Sequence, residues 1–209
     1  MRAKLLVLTS VAILFSLIAC SRQFKPQPPC NFVQNSDLQR VSWNRSVPIK
    51  LYVHKSVPLD RYPQMESVLR EVVSDWNRQA GKQLFVLEAF QVGGDNMPKK
   101  DGYSMIYWMD TCEDKNRLEQ ARTTIYWSGS QIYEADIRIN AKDHEYYVGH
   151  DTSFTGVDFK SLMIHEFGHA IGLAHTAQPK SVMNVTLNEG VDRREISDLD
   201  KASIACEYN

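Results

Sequence analysis

The sequence predicts a mixed α/β fold of the α+β kind, built as a single domain, and three observations point there. Segments with the apolar alternation of strands fill most of its middle, a strongly amphipathic helix interrupts them, and a second helix bearing histidines and a glutamate follows the last strand. No repeat or low-complexity tract argues otherwise. At 209 residues the chain can bury one sizeable core, whereas two full domains would be crowded.

The first strand is expected over residues 47–53, where Val47, Ile49, Leu51 and Val53 alternate and Pro48 sits near the start, where its missing donor is tolerated. Residues 63–78 carry Met65, Val68, Leu69, Val72, Val73 and Trp76 at helical spacing, with Pro63 suited to a first turn and Gly81 beyond the end. Strands follow at 84–90 and 104–108, separated by a loop rich in Gly, Asp, Asn and Pro. Residues 123–127 and 132–140 flank Ser128, Gly129 and Ser130 and read as an antiparallel hairpin, with Ala135, Ile137 and Ile139 alternating with Asp136 and Arg138. Asp158 offers an N-cap to a helix beginning at Phe159. A last helix is expected from Ser197 to about Glu207, with Leu199, Ile204 and Ala205 as candidate buried positions.

The N-terminus reads as an export signal rather than as part of the domain. Arg2 and Lys4 form a basic start, an uncharged apolar run of about 14 residues follows, and Ala19 and Cys20 close it. That run is shorter than the roughly 20 residues a membrane-spanning helix needs. Leu17, Ile18, Ala19 and Cys20 resemble the bacterial lipobox. The resemblance implies a signal peptide over residues 1–19, lipidation of Cys20, and an exported lipoprotein anchored in a membrane, the outer one in a Gram-negative host, since Ser21 is not an aspartate. Residues 21–29, with Pro26, Pro28 and Pro29, should be extended, so that residues 20–40 form a tether and 41–209 the folded domain.

The near-zero net charge and the absence of a basic cluster exclude nucleic acid as a partner. With Cys20 lipidated, Cys30, Cys112 and Cys206 remain, so at most one intramolecular disulfide can form among them. Pairing Cys30 with Cys206 would pin the N-terminal arm to the last helix; either could instead pair with Cys112.

The chemistry concentrates at His165, Glu166, His169, Gly172 and His175. Histidines four apart on a helix project from nearly the same face and can grip one metal ion. Glu166, beside the first of them, is placed to take a proton from a metal-activated water. Gly172 can adopt positive φ and end the helix, turning the chain so that His175 becomes a third ligand. Three histidines leave a fourth tetrahedral position open, the arrangement of a catalytic zinc site.

The run from His165 to His175 resembles the zinc signature of metzincin peptidases, and in particular the matrixin, or matrix-metalloproteinase-like, branch. Thr176 stands where matrixins carry serine, and no tyrosine follows the methionine turn as it does in other branches. The resemblance covers about residues 41–209 and implies a zincin-like catalytic domain: a mixed, twisted five-stranded sheet, two long helices and a C-terminal helix. It implies that Met183, within Ser181-Val182-Met183-Asn184, forms an apolar floor under the ligands. It also implies that an extended substrate adds itself to the edge strand at Thr123, Thr124, Ile125 and Tyr126 through main-chain hydrogen bonds.

Departures from the family are equally specific. Leu199 stands where matrixins carry the first of two adjacent aspartates, which puts their salt bridge to a freed N-terminal amine in doubt. The short link between Trp127 and Ala135 has no counterpart of the loop that binds a second, structural zinc; His144, His150 and Asp151 read as solvated loop residues. Only about 20 residues separate Cys20 from Trp43, too few for a folded propeptide. Cys30 lacks the arginine and glycine surroundings of a cysteine switch.

The implied function is that of a monomeric, zinc-dependent endopeptidase with one catalytic zinc, acting on extended protein or peptide substrates at a bacterial cell envelope, with calcium sites left open. Intact Glu166 and all three histidines oppose the rival reading, an inactive surface lipoprotein that uses the fold only to bind a partner.

Overall fold

The computed structural model describes residues 25–111, 117–149 and 155–209. The expected signal peptide and the residues Cys20, Cys112, His150 and Asp151 lie outside the described residues.

Strands β1 (Ile49–His54), β2 (Phe85–Val92), β3 (Ser104–Met109), β4 (Ala121–Ser128) and β5 (Gln131–Asn140) form a five-stranded sheet in the order β2-β1-β3-β5-β4. The first four of that order run parallel, and β4 returns antiparallel beside β5 to form one edge. Parallel neighbours need a crossover, and α1 (Gln64–Ala80) supplies it between β1 and β2. Two further strands, β6 (Tyr146–Tyr147) and β7 (Val157–Asp158), pair in parallel; at two residues each they are too short to show a periodicity in sequence. Helices α2 (Phe159–Ala170) and α3 (Asp198–Tyr208) complete the described elements. None of the helices among the described residues is long and apolar enough to cross a membrane.

Ile49, Leu51 and Val53 of β1 and Ala135, Ile137 and Ile139 of β5 point to one side and are buried against α1 and α2. From the helices come Leu69, Val72, Trp76 and Phe167, all fully buried. Phe167 meets Phe85 with ring centroids 4.9 Å apart. The Trp76 indole donates to the Ile164 carbonyl at 3.2 Å, which ties α1 to α2 while satisfying a buried N–H.

The structure corrects two expectations about burial. In α3, Leu199 is 42% exposed and Ala205 also faces solvent, while Asp200, Ser203, Ile204 and Tyr208 are buried. That spacing of four and eight from Asp200 is itself helical, but its polar members hide it from a hydrophobic pattern. The packed body also reaches into the segment assigned to the tether: Phe32 is buried and pairs with Leu173, and Cys30 is joined to Cys206. Arg40 and Ser42 both donate to the Glu207 carboxylate, at 2.5 Å each. The arm thus gains its partners from α3, where the Cys30–Cys206 pairing pins it, and from the loop after α2, which its own proline-rich sequence does not reveal.

The polar face of β5 is covered as well. Glu134 accepts hydrogen bonds from the Asp101 and Gly102 amides at 3.2 and 2.5 Å, and Asp136 accepts from the Met105 amide at 3.1 Å. Met105, Tyr107 and Met109 form a second small cluster with Tyr52 and Val92. Asp136 is 1% exposed and its Oδ2 has no hydrogen-bond partner among the described residues. Burial pushes its carboxyl from the usual 3.8 up to about 7, with Glu134 and Asp101 adding to the shift and the Met105 amide opposing it.

Because the folded-state value is the raised one, this group's contribution to stability is fully present below pH 3.8 and lost as pH rises through about 7. The loss amounts to roughly 2–4 kcal/mol. Asp136→Asn, which cannot ionise, should therefore melt higher than the parent at pH 8, by on the order of 5–10 °C, and close to it at pH 4. Thermal unfolding at the two pH values checks this; an equal offset at both would contradict it.

Candidate metal centre

The centre is built on α2, whose start and end are both fastened from outside. Asp158 caps the first turn, accepting from the Ser161 amide at 3.1 Å and from Ser161 Oγ at 2.5 Å. The Arg194 guanidinium donates to both oxygens of the same carboxylate at 2.7 Å, a fork that neutralises a buried charge. At the other end, carbonyls that a helix leaves unpaired find donors: Ala170 O accepts from the Trp43 indole at 2.7 Å and Ile171 O from the Tyr208 hydroxyl at 2.7 Å.

Between these ends, His165 and His169 project one turn apart, as their spacing predicts. Gly172, at φ +102°, ends the helix and turns the chain toward His175. A side chain there would not fit, because a Cβ would lie 2.2 Å from the Val41 carbonyl oxygen. The arm holds this turn with main-chain bonds, Val33 N–H donating to Gly172 O at 2.9 Å and Ala174 N–H to Asn31 O at 2.7 Å.

The three Nε2 atoms converge: His165 to His169 at 3.1 Å, His169 to His175 at 3.0 Å and His165 to His175 at 3.2 Å. His165 Nδ1 donates to the Val182 carbonyl at 2.7 Å, and His169 Nδ1 donates to the Leu173 carbonyl at 2.8 Å. Those carbonyls can only accept, so in the neutral rings Nδ1 carries the hydrogen and Nε2 presents a lone pair. Burial keeps both rings neutral, lowering each from 6.5 to about 4, and it lowers His175 as well. Lone pairs gathered at this distance repel unless a cation sits among them. His165, His169 and His175 could therefore hold a metal ion.

Met183 is fully buried against α2, with its sulfur 2.2 Å from where a Cβ on Gly168 would stand. Its turn is secured by Asp200 on α3, whose buried carboxylate accepts from Ser181 Oγ at 2.5 Å and the Val182 amide at 3.0 Å. The same carboxylate reaches the Ser197 amide and hydroxyl at 3.1 and 2.6 Å in a capping box. Val182 thus receives support through its amide and passes it to His165 through its carbonyl. Hydrophobic patterning does not single out Asp200; the S-x-x-D spacing of Ser197 and Asp200 is the signal that could have found it.

Glu166 is 3% exposed. Burial pushes its carboxyl up, while the neighbouring His169 and a hydrogen bond from Thr123 oppose the shift. Thr123 Oγ1 lies 2.6 Å from Glu166 Oε2 and 3.1 Å from the Glu166 carbonyl. The histidines and Glu166 border a cleft of about 820 Å³. One wall is β4, the edge of the sheet, from which Ala121, Thr123 and Ile125 face the cleft while Thr124 and Tyr126 alternate to the other face. The opposite wall is the segment from Asn184 to Glu189. Arg193 donates to the carbonyls of Asn184 and Thr186 at 3.4 and 2.8 Å, and Gln120 donates to Leu187 O at 2.8 Å. Both braces connect loops, so no periodicity announces them. His144 stands apart, its Nε2 3.1 Å from the Arg117 carbonyl.

Comparison with known proteins agrees with this geometry. A family model described as matrixin matches residues 64–209, which include β2 to β5, the centre and α3. Mouse matrix metalloproteinase-25 is 42% identical over 41 residues, a stretch that makes up 20% of this chain and 7% of that protein.

The arm's hold on the third-histidine turn is testable at Gly172. Gly172→Ala places a Cβ against the Val41 backbone at a positive φ, which should lower stability by at least about 2 kcal/mol and reduce bound metal. Thermal unfolding and metal analysis of the purified variant measure both; unchanged values would show that the arm does not clamp the turn.

Proposed function

This chain belongs to the matrixin family of metallopeptidases, and from that premise we propose that it is a zinc-dependent endopeptidase cleaving extended protein substrates at a bacterial cell envelope, held there by lipidated Cys20. The observation that carries the catalytic part is the convergence of three imidazole lone pairs beside a buried carboxylate, at the floor of a cleft bounded by a free sheet edge.

His165, His169 and His175 would hold the zinc, and Met183 forms the apolar floor beneath them. Zinc bound at these nitrogens supplies Lewis acidity, polarising a carbonyl and making water acidic enough to lose a proton near neutral pH. The protein's own part begins with the substrate. A peptide laid along β4 pairs with the main chain of Thr123 to Tyr126 as an added strand, which holds it extended and places one carbonyl over the histidines. Glu166 accepts a proton from the attacking water while the water oxygen bonds to the carbonyl carbon. It then gives that proton to the amide nitrogen as the C–N bond breaks, so that an acid and an amine leave. The wall from Asn184 to Glu189, braced by Arg193 and Gln120, bounds the side-chain pocket beyond the scissile bond.

Glu166→Gln keeps the size of the side chain and cannot take a proton. The variant should bind zinc as well as the parent and lose about 10²- to 10⁴-fold in kcat on casein or a quenched-fluorescence peptide. A chelator should abolish parental activity and added zinc restore it. Undiminished cleavage by the pure variant would sink the assignment. The envelope location has its own test: Cys20→Ala should abolish incorporation of labelled palmitate and release the protein from membranes, and continued acylation would contradict it.

A further inference from the structure

The Glu166 carboxylate is buried, yet among the described residues a single side chain donates to it. Thr123 Oγ1 lies 2.6 Å from Oε2. A glutamate has rotatable bonds enough to turn its carboxylate away from the histidines, and in a water-poor site one hydrogen bond decides its orientation. The donor stands on β4, the strand proposed to pair with substrate, with its side chain turned toward α2.

We propose, building on the peptidase reading, that Thr123 is a positioning residue for Glu166: its hydroxyl occupies Oε2 and leaves Oε1 as the oxygen that takes the proton from the attacking water. The balance is simple. The water O–H bond breaks toward Oε1, the water oxygen bonds to the carbonyl carbon, and the proton passes from Oε1 to the nitrogen of the departing amine. Oε2 stays bonded to Thr123 throughout. The hydroxyl also has the Glu166 carbonyl within reach at 3.1 Å, so both acceptors open to it belong to the residue it positions. Of the two, the side-chain oxygen is the nearer, at 2.6 Å. Because Thr123 sits on the substrate strand, one residue couples strand pairing through its main chain to the aim of the base through its side chain.

Full-length protein loaded with zinc is compared as parent, Thr123→Val, Thr123→Ser and Glu166→Gln on one quenched-fluorescence peptide. Valine keeps the shape and removes the donor. Thr123→Val should lose about 10- to 100-fold in kcat with KM within about twofold, and with zinc content unchanged. Thr123→Ser, which restores the hydroxyl without the methyl, should recover most of the rate. A Thr123→Val enzyme with parental kcat overturns the positioning role, as does a Thr123→Ser enzyme as slow as the valine variant, which would point to packing of the methyl group. Both outcomes leave the peptidase reading intact so long as Glu166→Gln is inactive. A parent protein that cleaves nothing, or a fully active Glu166→Gln, overturns the peptidase reading itself and the positioning role with it.

Discussion

Hydrogen bonds from Ser181, Val182 and Ser197 converge on the buried carboxylate of Asp200, and the placement of His165 in the candidate metal centre depends on that convergence. A carboxylate taken out of water must be surrounded by donors or it destabilises the fold. Here the donors come from the first turn of α3 and from the methionine turn, so neither can shift without stranding a charge. Val182 then transmits the constraint, its amide on Asp200 and its carbonyl on His165 Nδ1. The imidazole is fixed in tautomer and direction by a carbonyl of the methionine turn, which Asp200 on α3 holds in place.

The third histidine depends on a different support. His175 follows a turn that no helix continues, and its position is set by main-chain bonds from the arm at Asn31 and Val33 and by the approach of Val41 to Gly172. The arm is in turn fastened to α3 by the bridge from Cys30 to Cys206 and by the bonds of Arg40 and Ser42 to Glu207. Leu199, where family members carry an aspartate, is exposed and takes no part. α3 therefore supports the centre twice, through Asp200 at its start and through Glu207 near its end.

Burial does the electrostatic work. The same desolvation that holds His165 and His169 neutral, and so able to donate lone pairs, raises the proton affinity of Glu166. Opposite protonation tendencies within one short helix arise because removing water disfavours every charge, and the two residue types are charged in opposite protonation states. Asp136 on the polar underside of β5 follows the same rule, its carboxyl raised chiefly by burial.

Much of this was legible before any coordinates. The spacing of His165 and His169, the glycine at 172 and the histidine at 175 determined the centre, because helical periodicity and the freedom of glycine are local properties. The alternation in β1 and β5, the amphipathic α1 and the cap at Asp158 are local too, and each appears where the residues place it. What the tertiary structure alone decided involves partners distant along the chain: the hydroxyl of Thr123 on Glu166, Asp200 under the methionine turn, the packing of residues 30–40, and the enclosure of Asp136. A single chain segment states which side chains it offers, but the donors and acceptors that meet them are chosen by how strands and loops cross in space.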